Sequence, residues 1–182
     1  MDPVVIVLLL FIIFCLFMVY YTSHKKSQAK KQLSNLKDEK NASLVITLLH
    51  FYGLPIAENI PVQIFSTPND YEFSGANTSF KLDKNKVTDV TITTDVEIQK
   101  NNVSSIGGAV GGAILFGPIG AMIGGRSKEK TSKIVNSYLI FTFLDNNEIK
   151  YIAFNCTNNF QASKFVKEFK QNHTNEKTII NL

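Results

Sequence analysis

The sequence predicts a mainly β, α+β chain: a single N-terminal transmembrane helix, then an antiparallel barrel or sandwich of about seven strands with a C-terminal helix and an inserted glycine-rich helical hairpin. Three observations predict it. Residues 3–22, PVVIVLLLFIIFCLFMVYYT, carry no charge. From residue 43 the chain breaks into short stretches of period-two hydrophobicity separated by turn residues. Near the C-terminus, Ala162, Phe165, Val166 and Phe169 recur at helical spacing. A chain of 182 residues has room for one ordinary domain and an anchor.

As a helix, residues 3–22 measure about 30 Å, the thickness of the bilayer hydrocarbon. A cleaved signal peptide wants a basic start and a small-residue cleavage site. This segment opens Met1-Asp2-Pro3 and closes on bulky Val19-Tyr20-Tyr21. Residues 1–22 therefore read as an uncleaved anchor. Asp2 precedes it and Lys25, Lys26, Lys30 and Lys31 follow it, which predicts a cell-membrane, single-pass protein with the N-terminus outside and the domain cytoplasmic. Residues 23–42 are a polar, lysine-rich stalk, whose lysines act as a topology signal or also touch anionic lipid.

The soluble part, residues 43–172 with a tail at 173–182, is read as strands at about 43–49, 60–66, 71–74, 78–82, 87–99, 134–144 and 149–155. Thr67-Pro68-Asn69-Asp70, Gly75-Ala76-Asn77, Asp83-Lys84-Asn85-Lys86 and Asp145-Asn146-Asn147-Glu148 supply the turns. In the fifth strand, Val90, Ile92, Thr94, Val96 and Ile98 share a core face, with Asp95 and Glu97 on a wet one. The sixth is apolar on both faces, which predicts cover on both sides. Asn158 and Gln161 have the spacing of a capping box for the closing helix, with Lys164, Lys167, Glu168 and Lys170 on its polar side.

Seven short strands and a C-terminal amphipathic helix, with the run FKLDKNKVTDVTITTDVEI across the central strands, resemble the pleckstrin-homology-like fold of bacterial membrane-associated proteins. The resemblance covers residues 43–172. It implies a lipid-binding or peptide-binding module and no enzyme. The earliest tight turn, Thr67 to Asp70, has no Lys or Arg, which argues against phosphoinositide recognition.

Residues 106–125, IGGAVGGAILFGPIGAMIGG, hold eight of the ten glycines and no charge. Gly107 with Gly111, Gly108 with Gly112, and Gly120 with Gly124 stand four apart, the small-xxx-small spacing of close helix contacts. Each interior glycine costs a helix in water about 1 kcal/mol, so the segment needs packing or lipid. A full crossing would split the β domain and carry Arg126, Lys128, Lys130 and Lys133 outside, against the positive-inside bias. Gly117-Pro118 divides it into a hairpin. Gly107, Gly108, Gly111, Gly112, Gly117, Pro118, Gly120, Gly124 and Gly125 are thus candidates for membrane contact or self-association. The alternative is that the segment folds back over Leu139, Phe141 and Phe143 as core.

The formal charge of +4 is not spread over the domain. Residues 23–42 hold six Lys against Asp38 and Glu39, while the rest of the chain after the anchor is nearly balanced. That argues against nucleic acid. Cys15 and Cys156 give no disulfide framework, and His24, His50 and His173 have no metal-ligand spacing. No cofactor, metal or catalytic residue is expected: Asp95 and Glu97 sit among threonines, and Ser104-Ser105 read as a helix cap. The glycine run is followed by Arg126-Ser127, not by a phosphate-loop Lys. The expected partners are membrane lipid and a second copy through the hairpin. The function expected is a non-enzymatic membrane-anchored scaffold; a lipid- or small-ligand-binding module on a pleckstrin-homology-like barrel is the alternative. Asn, Lys and Ile bias fits an AT-rich bacterial or phage genome.

Overall fold

Strand periodicity and turn chemistry account for most of the architecture. The computed structural model describes residues 3–98, 119, 120, 122 and 135–174, and within the first helix the side chains of 11–21, 24, 28 and 31 onward. The chain divides into two compact units, Met1–Ala42 and Ser43–Leu182. The first is one helix, α1 (Pro3–Glu39), which continues without a break from the apolar run through the lysine-rich stalk. Its described apolar side chains from Phe11 to Tyr21 are exposed, with Phe11, Leu16 and Tyr20 at 66%, 65% and 67%, while Leu33 and Leu36 are part-buried. Among the described residues no helix is long and apolar enough to cross a membrane.

The second unit contains seven strands: β1 (Leu44–Tyr52), β2 (Pro61–Ser66), β3 (Asp70–Gly75), β4 (Thr78–Asp83), β5 (Val87–Thr94), β6 (Ser137–Asp145) and β7 (Glu148–Asn155). They form one antiparallel sheet in the order β4-β3-β2-β1-β7-β6-β5. A C-terminal helix, α2 (Ser163–Thr174), completes it. Two hairpins turn on residue pairs with positive φ, Ala76-Asn77 and Asn146-Asn147. That conformation matches the right-handed twist of the strands it joins. Between β2 and β3, the Thr67 hydroxyl donates to the Asp70 carbonyl at 2.9 Å and accepts from the Asp70 N–H at 3.1 Å.

Asp83 to Lys86, expected as a turn, is instead a 3₁₀ turn, Lys84–Lys86, capped by the Asp83 carboxylate on Asn85 N–H at 2.8 Å. It joins the two strands at opposite ends of the sheet order. Three residues of 3₁₀ backbone advance only about 6 Å, so the sheet has to roll until the end of β4 lies beside the start of β5.

Inside the roll, Ile64, Phe73, Leu139, Phe141, Phe154 and Phe165 belong to one buried cluster that α2 closes with Phe165 and Phe169, joined by Ala162 just ahead of the helix. Aromatic rings dominate it: Tyr71 and Phe141 lie 4.9 Å apart, and Phe73 stacks on Phe154 at 5.4 Å. Closely packed rings add specific geometry to the burial itself. The expected helical stripe of Ala162, Phe165, Val166 and Phe169 does pack on this core. The cap differs, because Asn158 takes a positive φ. Asn159 accepts from Gln161 N–H at 3.1 Å and starts a 3₁₀ turn, Phe160–Ala162, ahead of α2.

The fifth strand is shorter than expected. Pairing with β6 stops at Thr94 opposite Ser137, and residues 95–98 turn helical. Glu97 accepts from Thr94 N–H at 2.9 Å, and the Thr94 hydroxyl accepts from Glu97 N–H at 3.2 Å. This reciprocal capping box starts a helix where alternation alone continues a strand. As a result Val96 is exposed, Thr93 is buried and Ile98 turns inward.

Both faces of β6 are covered, as its apolar pattern predicts. The outer face differs from the one expected, however: Leu139 and Phe141 point into the main core. Tyr138 and Ile140 form a second cluster with Phe51, Ala153, Ile98 and Ile119, with Met122 packed against it. A one-residue change of parity in a strand exchanges its faces.

Candidate functional site

Among the described residues, sheet order leaves β5 hydrogen-bonded on one side, to β6. An edge strand presents free backbone donors and acceptors. Beside that edge runs α2, seated by Phe165 and Phe169 in the core, and between them lies an open groove of about 1020 Å³. Thr91 and Ile92 line it from β5; Ser163, Val166, Lys167, Lys170, Gln171 and Asn172 line it from α2. Ile92 and Val166, both part-buried against the core, supply apolar surface. Lys167 and Lys170 supply basic side chains, and among the described residues no carboxylate lines the groove.

A polar clamp fixes the helix at this distance. Glu168 turns inward: one carboxylate oxygen accepts from Ser43 at 2.9 Å, and the other accepts from the buried Ser66 hydroxyl and from Lys84 Nζ at 3.1 Å. Lys84 also stands 4.9 Å above the Tyr71 ring, a cation–π placement. Burial, and secondarily the Glu168 charge, raises the Tyr71 hydroxyl well above the usual phenol range. Serine, lysine and carboxylate therefore meet here, but Ser66 is fully buried. The arrangement ties β1, β2, the 3₁₀ turn and α2 together. The expectation that Glu168 lies on the polar side of the helix is corrected.

Asp95 and Glu97 have separate structural roles: Glu97 caps the helical turn, and Asp95 Oδ2 accepts from Asn136 N–H at 3.2 Å and Asn136 Nδ2 at 3.0 Å. Cys156 is buried, and that burial pushes its thiol up to about 11, so it is a poor nucleophile at neutral pH. His50 is buried with defined partners. Its Nε2 accepts from Leu54 N–H at 3.2 Å, leaving Nδ1, 3.1 Å from the Ala57 carbonyl, as the donor. Among the described residues no three His, Cys, Asp or Glu gather to hold a metal.

Of the residues singled out in the glycine-rich segment, Gly120 is helical and buried. Its neighbours Ile119 and Met122 pack on the outer face of the sheet. Gly107, Gly108, Gly111, Gly112, Gly117, Pro118, Gly124 and Gly125 lie outside the described residues, as do Ser104 and Ser105. Lys31 is exposed; Lys25, Lys26 and Lys30 belong to α1, without described side chains. The groove was not singled out by sequence, although the exposed lysines beside an apolar helical stripe were its legible half. Its other half is a strand edge, which depends on the order of the whole sheet.

The described residues of the second unit define a mainly antiparallel β domain of seven strands with a C-terminal helix. No protein-family model matches the chain, and a comparison with curated proteins finds no significant match.

Proposed function

We propose that this is a non-enzymatic, membrane-anchored interaction protein in which a pleckstrin-homology-like domain offers the groove between β5 and α2 to an extended segment of a partner protein. The single observation that carries the reading is that, among the described residues, β5 is hydrogen-bonded on one side only and a lined groove lies at the same place. An added strand takes affinity from the backbone edge and selectivity from alternate side-chain pockets. The seven antiparallel strands and closing helix are compatible with the pleckstrin-homology-like family. The anchor reading is supported by the uncharged residues 3–22, and a cytoplasmic side for the domain by the lysines after them.

Selection of extended peptides on the detergent-solubilised chain, followed by hydrogen exchange with the enriched sequence, tests the groove. The expected result is protection of the 88–94 backbone amides and loss of binding in Ile92→Asp. Protection confined to another part of the domain, or no enrichment, overturns the reading. The anchor is tested separately by extraction with carbonate, which releases a peripheral protein and leaves an integral one in the membrane.

A second reading keeps the glycine-rich segment as a contact surface between copies. Its support is the spacing in the sequence, where Gly107 with Gly111 and Gly108 with Gly112 stand four apart, the small-xxx-small pattern of close helix contacts. Crosslinked dimers lost on Gly111→Leu support it; crosslinking unchanged by that substitution removes it.

A further inference from the structure

Helix α2 has a second stripe that neither the core nor the clamp uses. Phe160, in the 3₁₀ turn leading into the helix, is 89% exposed, the most exposed large apolar side chain among those described. Behind it come Lys164 and Lys167, both exposed. These two lysines, three residues apart, share one face of α2, and Phe160 stands in the turn immediately ahead of it. The opposite stripe, Ala162, Phe165 and Phe169, is buried in the core.

Within α2 the one acidic side chain is Glu168, and it is turned away to Ser43, Ser66 and Lys84. Among the described residues the outward stripe therefore combines a bare aromatic ring with two lysines that no acidic side chain of α2 offsets. A single exposed apolar residue is ordinary on a protein surface. One placed at the head of a basic stripe has the composition of an interfacial helix, whose ring enters the acyl boundary while its lysines meet anionic headgroups.

We propose that the outward face of α2, with Phe160 as the inserted ring and Lys164 and Lys167 as the headgroup contacts, docks the domain on an anionic bilayer surface. Charge complementarity selects this occupant over a neutral membrane or a second copy of the equally basic stripe. This inference rests on the membrane-anchor reading, because tethering supplies the high local concentration of bilayer that a contact of one ring and two lysines requires. It also makes Lys167 a shared residue, since that side chain lines the groove as well.

The chain contains no tryptophan, so Phe160→Trp creates a single reporter at an exposed position where the fold does not depend on the ring. The full-length variant is placed in nanodiscs of phosphatidylcholine, with and without phosphatidylglycerol. Docking predicts blue-shifted emission and quenching by brominated acyl chains in the anionic discs. Adding Lys164→Glu and Lys167→Glu, with the fold checked by circular dichroism, should return the emission to its solvent-exposed position. Solvent-like emission in both disc types overturns the proposal, and so does a blue shift without bromine quenching, which reports protein contact. If the chain is not retained by discs, the anchor reading fails; titration of the same variant with anionic vesicles then decides docking by the same quenching.

Discussion

Lys84 and Glu168 are paired at 3.1 Å with both side chains 17% exposed, across a sequence separation of 84 residues. The pair joins the turn where the sheet rolls to the helix that closes it. Removing Glu168 leaves the buried Ser66 hydroxyl without its acceptor. Glu168→Ala should therefore cost about 1–3 kcal/mol in urea unfolding of the chain in micelles. Glu168→Gln retains an acceptor and should cost less. Equal losses in the two variants contradict a hydrogen-bonding role for the clamp.

Alkaline stability should depend on Cys156. Its thiol is raised by burial from 9.0 to about 11, so the fold favours the neutral form. Stability from this group is complete below pH 9 and is lost as pH rises towards about 11. The loss is of order 2 kcal/mol. Cys156→Ala should flatten the fall in unfolding free energy between pH 9 and 10. The fall that remains at higher pH includes Tyr71 and Tyr151, whose hydroxyls are both raised by burial. A profile unchanged by Cys156→Ala rules out this assignment.

Gly53 follows β1 with φ +96, and a Cβ there would lie 2.0 Å from the Tyr151 carbonyl oxygen and 2.9 Å from Ile152 Cα. Both obstacles are backbone and cannot turn aside. Gly53→Ala should destabilise the domain by more than about 1 kcal/mol, read from the urea midpoint. A neutral substitution would show that β1 and β7 separate here without cost.

Ile119 tests whether part of the glycine-rich segment belongs to the domain. It is fully buried against Tyr138, Ile140 and Phe51. Ile119→Ala should cost about 2–5 kcal/mol in the same denaturation assay, in micelles and in bilayers alike. Stability unchanged by Ile119→Ala would indicate that this residue faces lipid or solvent instead.

Much of the strand pattern was legible because its causes are local. The apolar run of β6, the short strand β7 and the positive-φ Asn146-Asn147 turn between them involve neighbours in sequence. Thr94 to Ile98 was misread because Thr-Asp-Val-Glu satisfies two local rules at once, strand alternation and a capping box. Pairing partners decide between them, and β6 begins only at Ser137. Glu168 was placed on the polar side because a carboxylate among lysines looks solvated; its serine partners lie 102 and 125 residues away.

By itself the sequence determined the kind of elements and their order: an uncharged helical run, short alternating strands, a basic amphipathic helix. Those follow from side-chain periodicity and turn preference, which act over a few residues. Tertiary structure alone decided which strand became the free edge, which face of β6 met the main core, and which polar residues of α2 turned inward. These outcomes depend on rolling the sheet until β4 and β5 meet at a three-residue turn. Closure of that kind is settled by packing across the whole domain, and it creates the groove and leaves Phe160 exposed.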